Sequence, residues 1–338
     1  MTCRSRESGS RGAREPGGPG LVLWVMTTFF AAGVSAQAPV GDSLAPRLPG
    51  SPAPSYIPHR VYDTKHKKFI DFETLAARLG AADLVFVGEE HNDPATHRME
   101  LAILEGLARR RDSVTLALEM FERDVQPLLD RYLAGAATEE ELLRDSRPWK
   151  NYAADYRPLV ELARSRGWPV VASNTPRPLA SLVSRTGLAG LDTVAAPMRS
   201  NAAEQVSCPE DDYYEKFAAV MGDMSAHGPA GASEADLRGR LLRMYQAQCV
   251  KDETMAESVA RAWSPGRLVV HYNGSFHSDF RLGTAERALR RAGAASMLVV
   301  TALPVPNLDD LSPGKEVRKR ADYLLYVLAP AKADSAGR

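Results

Sequence analysis

The sequence predicts an α/β protein with a mostly parallel, doubly wound sheet, helices on both faces of that sheet, and a helical insertion. Short apolar runs alternate with amphipathic segments along most of the chain, which is typical of a parallel sheet with crossover helices. The alternation stops at about residues 190–263, where the sequence is polar and helical in character. We therefore expect one α/β domain over residues 60–330 that contains this insertion.

Six short apolar runs are predicted as strands, because buried parallel strands read as continuous apolar segments. They cover residues 83–87, 114–120, 169–172, 267–272, 296–301 and 323–328. Helical periodicity predicts helices over residues 123–133, 152–166 and 278–291. A further helix should begin at Asp93-Pro94, where an N-cap residue precedes a proline at the first helical position.

The first 38 residues are predicted to be a cleavable signal peptide. Four arginines precede an uncharged apolar run at residues 21–34, and the small-residue exit SAQA follows at residues 35–38. A basic region, a short apolar region and an A-x-A exit are typical of secretory signals; an uncleaved membrane anchor is the alternative. No cysteine follows the run to accept a lipid. We therefore expect a periplasmic or secreted mature protein.

Residues 39–59 are rich in Pro, Ser and Gly, which predicts an extended linker. Signal cleavage would remove Cys3 and leave Cys208 and Cys249 in an oxidising compartment, so these two are predicted to form a disulfide. The absence of CxxC and CxxCH motifs excludes zinc ribbons and covalently attached c-type haem. Lys+Arg and Asp+Glu are equal at 42 each, which argues against a nucleic-acid partner.

Polar side chains follow several predicted strands at the point where each strand ends. In open α/β sheets, ligands bind outside the carboxyl ends of the strands. The pattern G-x-x-H occurs there twice, at residues 88–91 and 274–277, and Glu119 lies near the end of another strand. A divalent-metal site or an acid–base set is therefore predicted. Its members would be Glu89, His91, Glu119 and His277.

Each of these residues also has an ordinary interpretation, as an exposed loop histidine or a glutamate that caps the next helix. His271 is the weakest candidate of the group, because its position within a strand can turn the side chain into the core. Asn174 and Arg177 follow another predicted strand. Arg177 is predicted to pair with a carboxylate of a ligand, and the alternative is a surface salt bridge.

Five sequence blocks, in this order, resemble the ChaN family of haem-binding, iron-uptake proteins. They are VFVGEEHNDPATHRMELAILEGL, TLALEMFERDVQPLLDRYL, WKNYAADYRPLVELARSRGWPVVASNTPR, QCVKDETMAESVA and HYNGSFHSDFRLGTAERA. The resemblance implies an α/β core with a smaller helical part that binds haem between two subunits. A haem-linked homodimer and a link to outer-membrane haem uptake machinery follow as expectations. Many members are lipoproteins, whereas this chain lacks the lipid-accepting cysteine.

Within that resemblance, the insertion offers haem ligands by residue type. Tyr213, Tyr214 and His227 are the candidates for the iron, since tyrosinate suits ferric haem, and Arg177 is the candidate for a propionate. Tyrosines on a helix are, however, more commonly core residues.

The same G-x-x-H and glutamate positions resemble those of the wider superfamily of Tiki-type metalloproteases and erythromycin-esterase-like hydrolases. Non-covalent ferric haem binding is therefore the main prediction and metal-dependent hydrolysis the principal alternative. A non-catalytic interaction module of the cell envelope is the third.

Overall fold

The computed structural model describes residues 56–226, 233–293 and 295–329. These residues contain one eight-stranded sheet with the strand order β2-β1-β8-β7-β3-β6-β4-β5. Strands β3 to β8 pair in parallel, and the β1–β2 hairpin adds an antiparallel edge. The predicted mostly parallel sheet is therefore confirmed. The strands are β1 His59–Asp63, β2 Lys68–Ile70, β3 Leu84–Glu89, β4 Val114–Glu122, β5 Val170–Asn174, β6 Leu268–Gly274, β7 Met297–Val305 and β8 Tyr323–Leu328.

The helices vary from single turns to the long helix α10. They are α1 Phe72–Gly80, α2 Pro94–Ala108, α3 Gln126–Leu133, α4 Glu139–Asp145, α5 Tyr152–Asp155, α6 Arg157–Ser165, α7 Arg177–Thr186, α8 Ala196–Arg199, α9 Asp212–Ala226, α10 Glu234–Ala262, α11 Gly283–Ala292 and α12 Lys315–Arg318. Helix α2 begins as predicted: the Asp93 carboxylate accepts a hydrogen bond from the Thr96 amide, and Pro94 occupies the first turn. Apolar clusters cover both faces of the sheet.

Two predicted helices are interrupted, each for a local backbone reason. The segment predicted as one helix over residues 152–166 divides into α5 and α6. Pro158 follows the break, and a proline inside a helix removes one hydrogen bond and collides with the preceding turn. The segment predicted over residues 278–291 becomes helical only at Gly283, because Phe280 and Arg281 have positive φ angles of 61° and 59°.

The stretch predicted as an insertion packs partly against the sheet. From Cys249 onward, α10 is buried against β5, α7 and α11, so this half of the helix covers the sheet before β6. The sequence of this half of α10 looks polar because it contains buried polar residues that have polar partners, namely Asp252, Glu253, Glu257 and Ser258. Helix α9 and the first half of α10 surround a smaller aromatic cluster.

The predicted disulfide is confirmed: Cys208 and Cys249 are bonded, with Cα atoms 5.6 Å apart. The bond joins the segment before α9 to the middle of α10. None of the described helices is both long and apolar enough to cross a membrane. The predicted signal peptide and all but the last four residues of the predicted linker lie outside the described residues.

Candidate functional site

Three neighbouring strands carry the predicted polar residues to one end of the sheet. Strand β6 lies between β3 and β4, so the carboxyl ends of all three strands meet at the same edge. Glu89 is the last residue of β3, Glu119 lies in β4, and the two G-x-x-H turns leave β3 and β6. The structure thus brings together the four residues Glu89, His91, Glu119 and His277.

His91 lies at the surface of this end, with 42% of its side chain exposed. Its Nδ1 is 2.6 Å from Glu89 Oε1, which also accepts a 2.7 Å hydrogen bond from the Tyr156 hydroxyl. The imidazole meets the Trp149 ring edge-on at 4.8 Å. A Cβ atom on Gly274 would lie 2.7 Å from His91 Nε2, so the second G-x-x-H turn requires glycine here.

A second group, the His277 cluster, consists of Glu119, His277, Asp252 and Tyr213. His277 Nδ1 is 2.7 Å from Asp252 Oδ1, and its Nε2 is 3.4 Å from Glu119 Oε1. The Tyr213 hydroxyl donates to Asp252 Oδ2 at 2.8 Å. The Gly274 amide donates to Glu119 Oε2 at 2.7 Å. Every carboxylate oxygen of this buried cluster therefore has a partner.

The charges in the His277 cluster follow from this pairing. Burial alone lowers the pKa of His277, but the flanking carboxylates Glu119 and Asp252 outweigh it and raise the pKa to about 10. Burial raises the pKa of Glu119 and of Asp252, yet the charge of His277 brings both below their usual range. A protonated His277 between two ionised carboxylates is the favoured state.

A third group, the His97 cluster, consists of Glu89, His97 and Glu100, and the sequence analysis did not identify it. His97 Nδ1 lies 3.3 Å from Glu89 Oε2 and 3.1 Å from Glu100 Oε2. Its Nε2 lies 3.1 Å from the His91 carbonyl oxygen, to which it donates. Glu89 Oε2 and Glu100 Oε1 have no hydrogen-bond partner, although both side chains are buried.

The pKa values of the two carboxyl groups in the His97 cluster are shifted in opposite directions. Burial raises the pKa of Glu89, but the hydrogen bond from His91 and the close contact with the charge of His97 outweigh it and lower the pKa to about 2. Burial and the nearby charge of Glu89 hold the pKa of Glu100 well above its usual range. Burial lowers the pKa of His97, but Glu100 and Glu89 outweigh it and raise the pKa to about 11. Glu100 is therefore the group that stays protonated.

A cleft of about 340 Å³ opens beside these clusters, between Trp149, α7 and α10. This volume is in the range of small-molecule sites. Its polar lining includes Glu119, Asn174, Arg177 and Lys251. Arg177 Nε is 3.1 Å from Glu122 Oε1, with 61% of the arginine side chain exposed. The cleft thus combines an aromatic wall with two cationic side chains and the carboxylates of Glu119 and Glu122, and Arg177 forms the salt bridge that the sequence analysis gave as its alternative role.

The remaining predicted residues lie apart from the exposed end of the site, and His271 is turned into the core, which the sequence analysis gave as the reason for ranking it lowest. The Tyr213 side chain is 1% exposed and faces Asp252, and burial raises its pKa well above the usual range, so it offers no oxygen to a ligand at the surface. Tyr214 is half-buried against Tyr245. His271 is fully buried, burial lowers its pKa to about 4, and it contacts Ser173 and Asn273. His227 lies outside the described residues.

A signal for the missed residues is present in the sequence. His97 and Glu100 are three positions apart on α2, so they share one helix face, and α2 follows directly on the first G-x-x-H turn. Asp252 gives no such signal, because its partners His277 and Thr284 belong to other elements.

Comparisons with known proteins agree with this architecture. A solved structure of ChaN from Campylobacter jejuni, with cofacial heme bound, is 16% identical and has a TM-score of 0.57. The match covers 81% of this chain and 97% of the Campylobacter jejuni chain. RETICULATA-RELATED 5, a chloroplast protein of Arabidopsis thaliana, is 25% identical over 272 residues, 73% of this chain; the matched region is 35% of the plant protein.

The family described as haem-binding uptake, Tiki superfamily, ChaN matches residues 75–288, which is more than half of the chain. The matched region runs from α1 to α11 and contains both G-x-x-H turns, the His277 cluster and the His97 cluster. This protein belongs to the ChaN family of the Tiki superfamily.

Proposed function

We propose that this protein binds ferric haem non-covalently in the cleft beside Trp149, with His91 as a ligand of the iron. The observation that carries the proposal is the state of His91. Its Nδ1 is held by the buried carboxylate of Glu89, while 42% of its side chain is exposed, where it lines a second pocket with Leu303 and Pro304. A histidine ligand of a metal almost always donates its other ring N–H to a carboxylate or carbonyl in this way. Trp149, which lines the cleft, contacts the His91 ring.

The surroundings of His91 fit a haem group. Trp149 provides an aromatic surface beside the imidazole, and haem faces are broad and apolar. Arg177 and Lys251 line the cleft and are suited to pair with the two propionates, since charge-assisted contacts to carboxylates are strong. Bound haem would supply a ferric iron that accepts a nitrogen or oxygen ligand.

The helical insertion remains part of this proposal. Helix α10 contributes Ala247 and Lys251 to the cleft lining, and α9 packs on α10. Tyr214 is the half-buried tyrosine of α9. We assign Tyr214 as the candidate for a second, anionic ligand. Since Tyr213 is turned inward towards Asp252, it does not serve this role.

A haem titration of the mature protein tests the proposal. We expect a saturable Soret change that is lost or strongly shifted in His91→Ala and altered in Tyr214→Phe, with weaker binding in Arg177→Ala. His59→Gln is the matched control, because His59 lies on β1, away from the cleft, and its ring hydrogen-bonds to the neighbouring Ile57 carbonyl. A titration without saturation, or an unchanged spectrum in His91→Ala, would contradict the proposal.

Metal-dependent hydrolysis is a second candidate, favoured by the convergence of Glu89, His91, Glu119 and His277 at one sheet edge. Against it, both nitrogens of His277 already face carboxylates, so a metal there would have to displace an ion pair. Ester hydrolysis that is abolished by a chelator and by His277→Gln, with haem binding intact, would favour this function over the first.

We further propose that the protein is exported and that haem links two subunits, because a site shared between two subunits would cover more of a broad haem face than one subunit could. The predicted signal at residues 1–38 supports export. N-terminal sequencing should find a mature start near Gln37 or Pro39. Sedimentation of the titrated protein should show a haem-dependent increase in mass; a monomer at haem saturation would contradict the shared site. Contact with outer-membrane uptake machinery stays a prediction.

A further inference from the structure

The His97 cluster combines one imidazole and two carboxylates in the interior, beneath His91. Its three ligand atoms, one from each of Glu89, His97 and Glu100, all lie within 4.8 Å of one another. Each of the three residues is at most 2% exposed. Buried carboxylates this close to one another repel unless a proton or a cation lies between them.

The hydrogen bonds of the cluster do not satisfy its oxygens. His97 Nδ1 faces both carboxylates, and one N–H can donate fully to only one of them. The N–H hydrogen-bonds Glu100 Oε2, so Glu89 Oε2 has an ion-pair contact but no hydrogen bond of its own. Glu100 Oε1, the other oxygen of that carboxyl group, has no hydrogen-bond partner either. An orphaned oxygen in the interior costs about 1–3 kcal/mol, and native proteins contain few of them. Two such oxygens within one three-residue cluster favour the binding of a cation between them.

The distances between the facing atoms match a metal site. In a tetrahedral site with metal–ligand distances of about 2.0–2.1 Å, neighbouring ligand atoms are roughly 3.3–3.4 Å apart. His97 Nδ1 is 3.3 Å from Glu89 Oε2 and 3.1 Å from Glu100 Oε2. The three side chains therefore need little movement to surround an ion.

The surrounding contacts orient the three ligands. His97 Nε2 donates to the His91 carbonyl, which leaves Nδ1 directed at the carboxylates. Glu89 Oε1 is held by the Tyr156 hydroxyl and by His91, which leaves Oε2 directed inward. Such outer contacts fix ligand geometry in known metal sites. His97 and Glu100, at positions i and i+3 of α2, project from one helix face.

We propose that Glu89, His97 and Glu100 bind a divalent transition-metal ion, distinct from the haem iron, beneath the surface histidine His91. One imidazole and two carboxylates suit Zn²⁺, Mn²⁺ or Fe²⁺ rather than Ca²⁺. Three protein ligands leave one position of a tetrahedral ion for water. Because Glu89 contacts both this site and His91, an ion here would set the orientation of His91 from below.

Metal binding by the full mature chain tests the proposal. Protein freed of metal by a chelator is dialysed against Zn²⁺, and bound zinc is measured by elemental analysis. We expect one equivalent in the wild type and at least a tenfold loss of affinity in Glu100→Gln and His97→Ala. Co²⁺ should give the intense visible bands of a four-coordinate ion in the wild type and not in these variants.

Two controls separate this site from its alternatives. His277→Gln and His59→Gln should keep the zinc, since neither residue contacts the cluster. Loss of zinc in His277→Gln would move the ion to the outer residues and overturn the proposal. Absence of stoichiometric zinc and of a Co²⁺ spectrum in the wild type would do the same, and would leave a shared proton between the carboxylates. Glu100→Gln preserves side-chain volume, so it decides the matter even if His97→Ala fails to fold.

The outcome is independent of the proposed haem function, because the metal measurements contain no haem. Zinc binding without haem binding would refute only the haem proposal, and haem binding without zinc would refute only this one.

Discussion

The His277 cluster and the His97 cluster are both buried groups of carboxylates around an imidazole, at the same end of one sheet, yet they differ in completeness. In the His277 cluster, each oxygen of Glu119 and Asp252 faces a donor or a cation. In the His97 cluster, Glu100 Oε1 has no hydrogen-bond partner, and Glu89 Oε2 faces the same His97 Nδ1 that also contacts Glu100 Oε2. The residue types in such a buried cluster therefore say little about its role. Whether each carboxylate oxygen has a hydrogen-bond donor says more.

The difference has a physical reading. A fully satisfied buried network rigidifies its surroundings, whereas an incomplete one is costly unless another component completes it. The His277 cluster ties α10 to the second G-x-x-H turn and to α11, where Thr284 donates to Asp252. We infer that it is structural and that it holds the cleft wall in place. The His97 cluster is the better place for a bound ion.

Substitution of Asp252 is the most direct test of the difference between the two clusters. Asp252→Ala removes the acceptor of His277, Tyr213 and Thr284 at once, and removing one partner of a buried ion pair costs about 3–5 kcal/mol. We expect the free energy of unfolding in urea to fall by that amount. Glu234→Ala, at an exposed site in the first turn of the same helix, should cost less than about 1 kcal/mol. Equal effects would remove the structural role of the cluster.

The disulfide provides the next largest effect. Replacing both Cys208 and Cys249 by serine removes a crosslink between residues 41 positions apart, which in the chain-entropy model stabilises by about 4 kcal/mol, with 2–4 kcal/mol typical of measurements. We expect urea unfolding to show this loss. Metal binding at the His97 cluster should persist in the folded variant, because that cluster lies on β3 and α2. If the variant lost the metal, the disulfide region and the His97 cluster would depend on each other, which would contradict this prediction.

A third effect appears at alkaline pH. The pKa of His277 is raised from 6.5 to about 10 in the folded protein, so its stabilising contribution is complete below pH 6.5 and is lost as the pH rises through about 10. One proton gives a slope of at most about 1.4 kcal/mol per pH unit. In chelator-treated protein, the free energy of unfolding should fall over this window, and His277→Gln should flatten the fall. Parallel pH profiles for the two proteins would refute the assignment.

Most of the fold was predictable from the sequence because it depends on local apolar pattern. The parallel strands are continuous apolar runs, and the strand at residues 323–328 has the predicted limits. The extent to which the second half of α10 is buried was not predictable, since its buried Asp252 and Glu253 look like surface residues without their partners. Those partners, His277 and Arg287, belong to later elements.

The site was predictable only where the chain itself supplies the geometry. Two G-x-x-H turns leaving neighbouring strands place His91 and His277 at one edge, and the sequence contains that pattern. The inward rotation of Tyr213 depends on Asp252, which is 39 residues away. No local pattern encodes which of two adjacent tyrosines faces the core. The i, i+3 pair His97 and Glu100 is visible in the sequence, but its meaning depends on the packing of α2 beneath Glu89.

The smallest expected effect is the sharpest test of the comparison. Glu100 is already held protonated by burial and by the charge of Glu89, and glutamine has nearly the same shape as a protonated glutamate while adding N–H donors. In metal-free protein, Glu100→Gln should therefore change the free energy of unfolding by less than about 1 kcal/mol, in contrast to Asp252→Ala. In zinc-loaded protein the same substitution should remove the extra stability that bound ligand confers by mass action. Urea unfolding of both proteins, with and without zinc, measures the two differences. A large loss of stability without metal would mean that the His97 cluster is as complete as its neighbour and that its oxygens are satisfied by the protein alone.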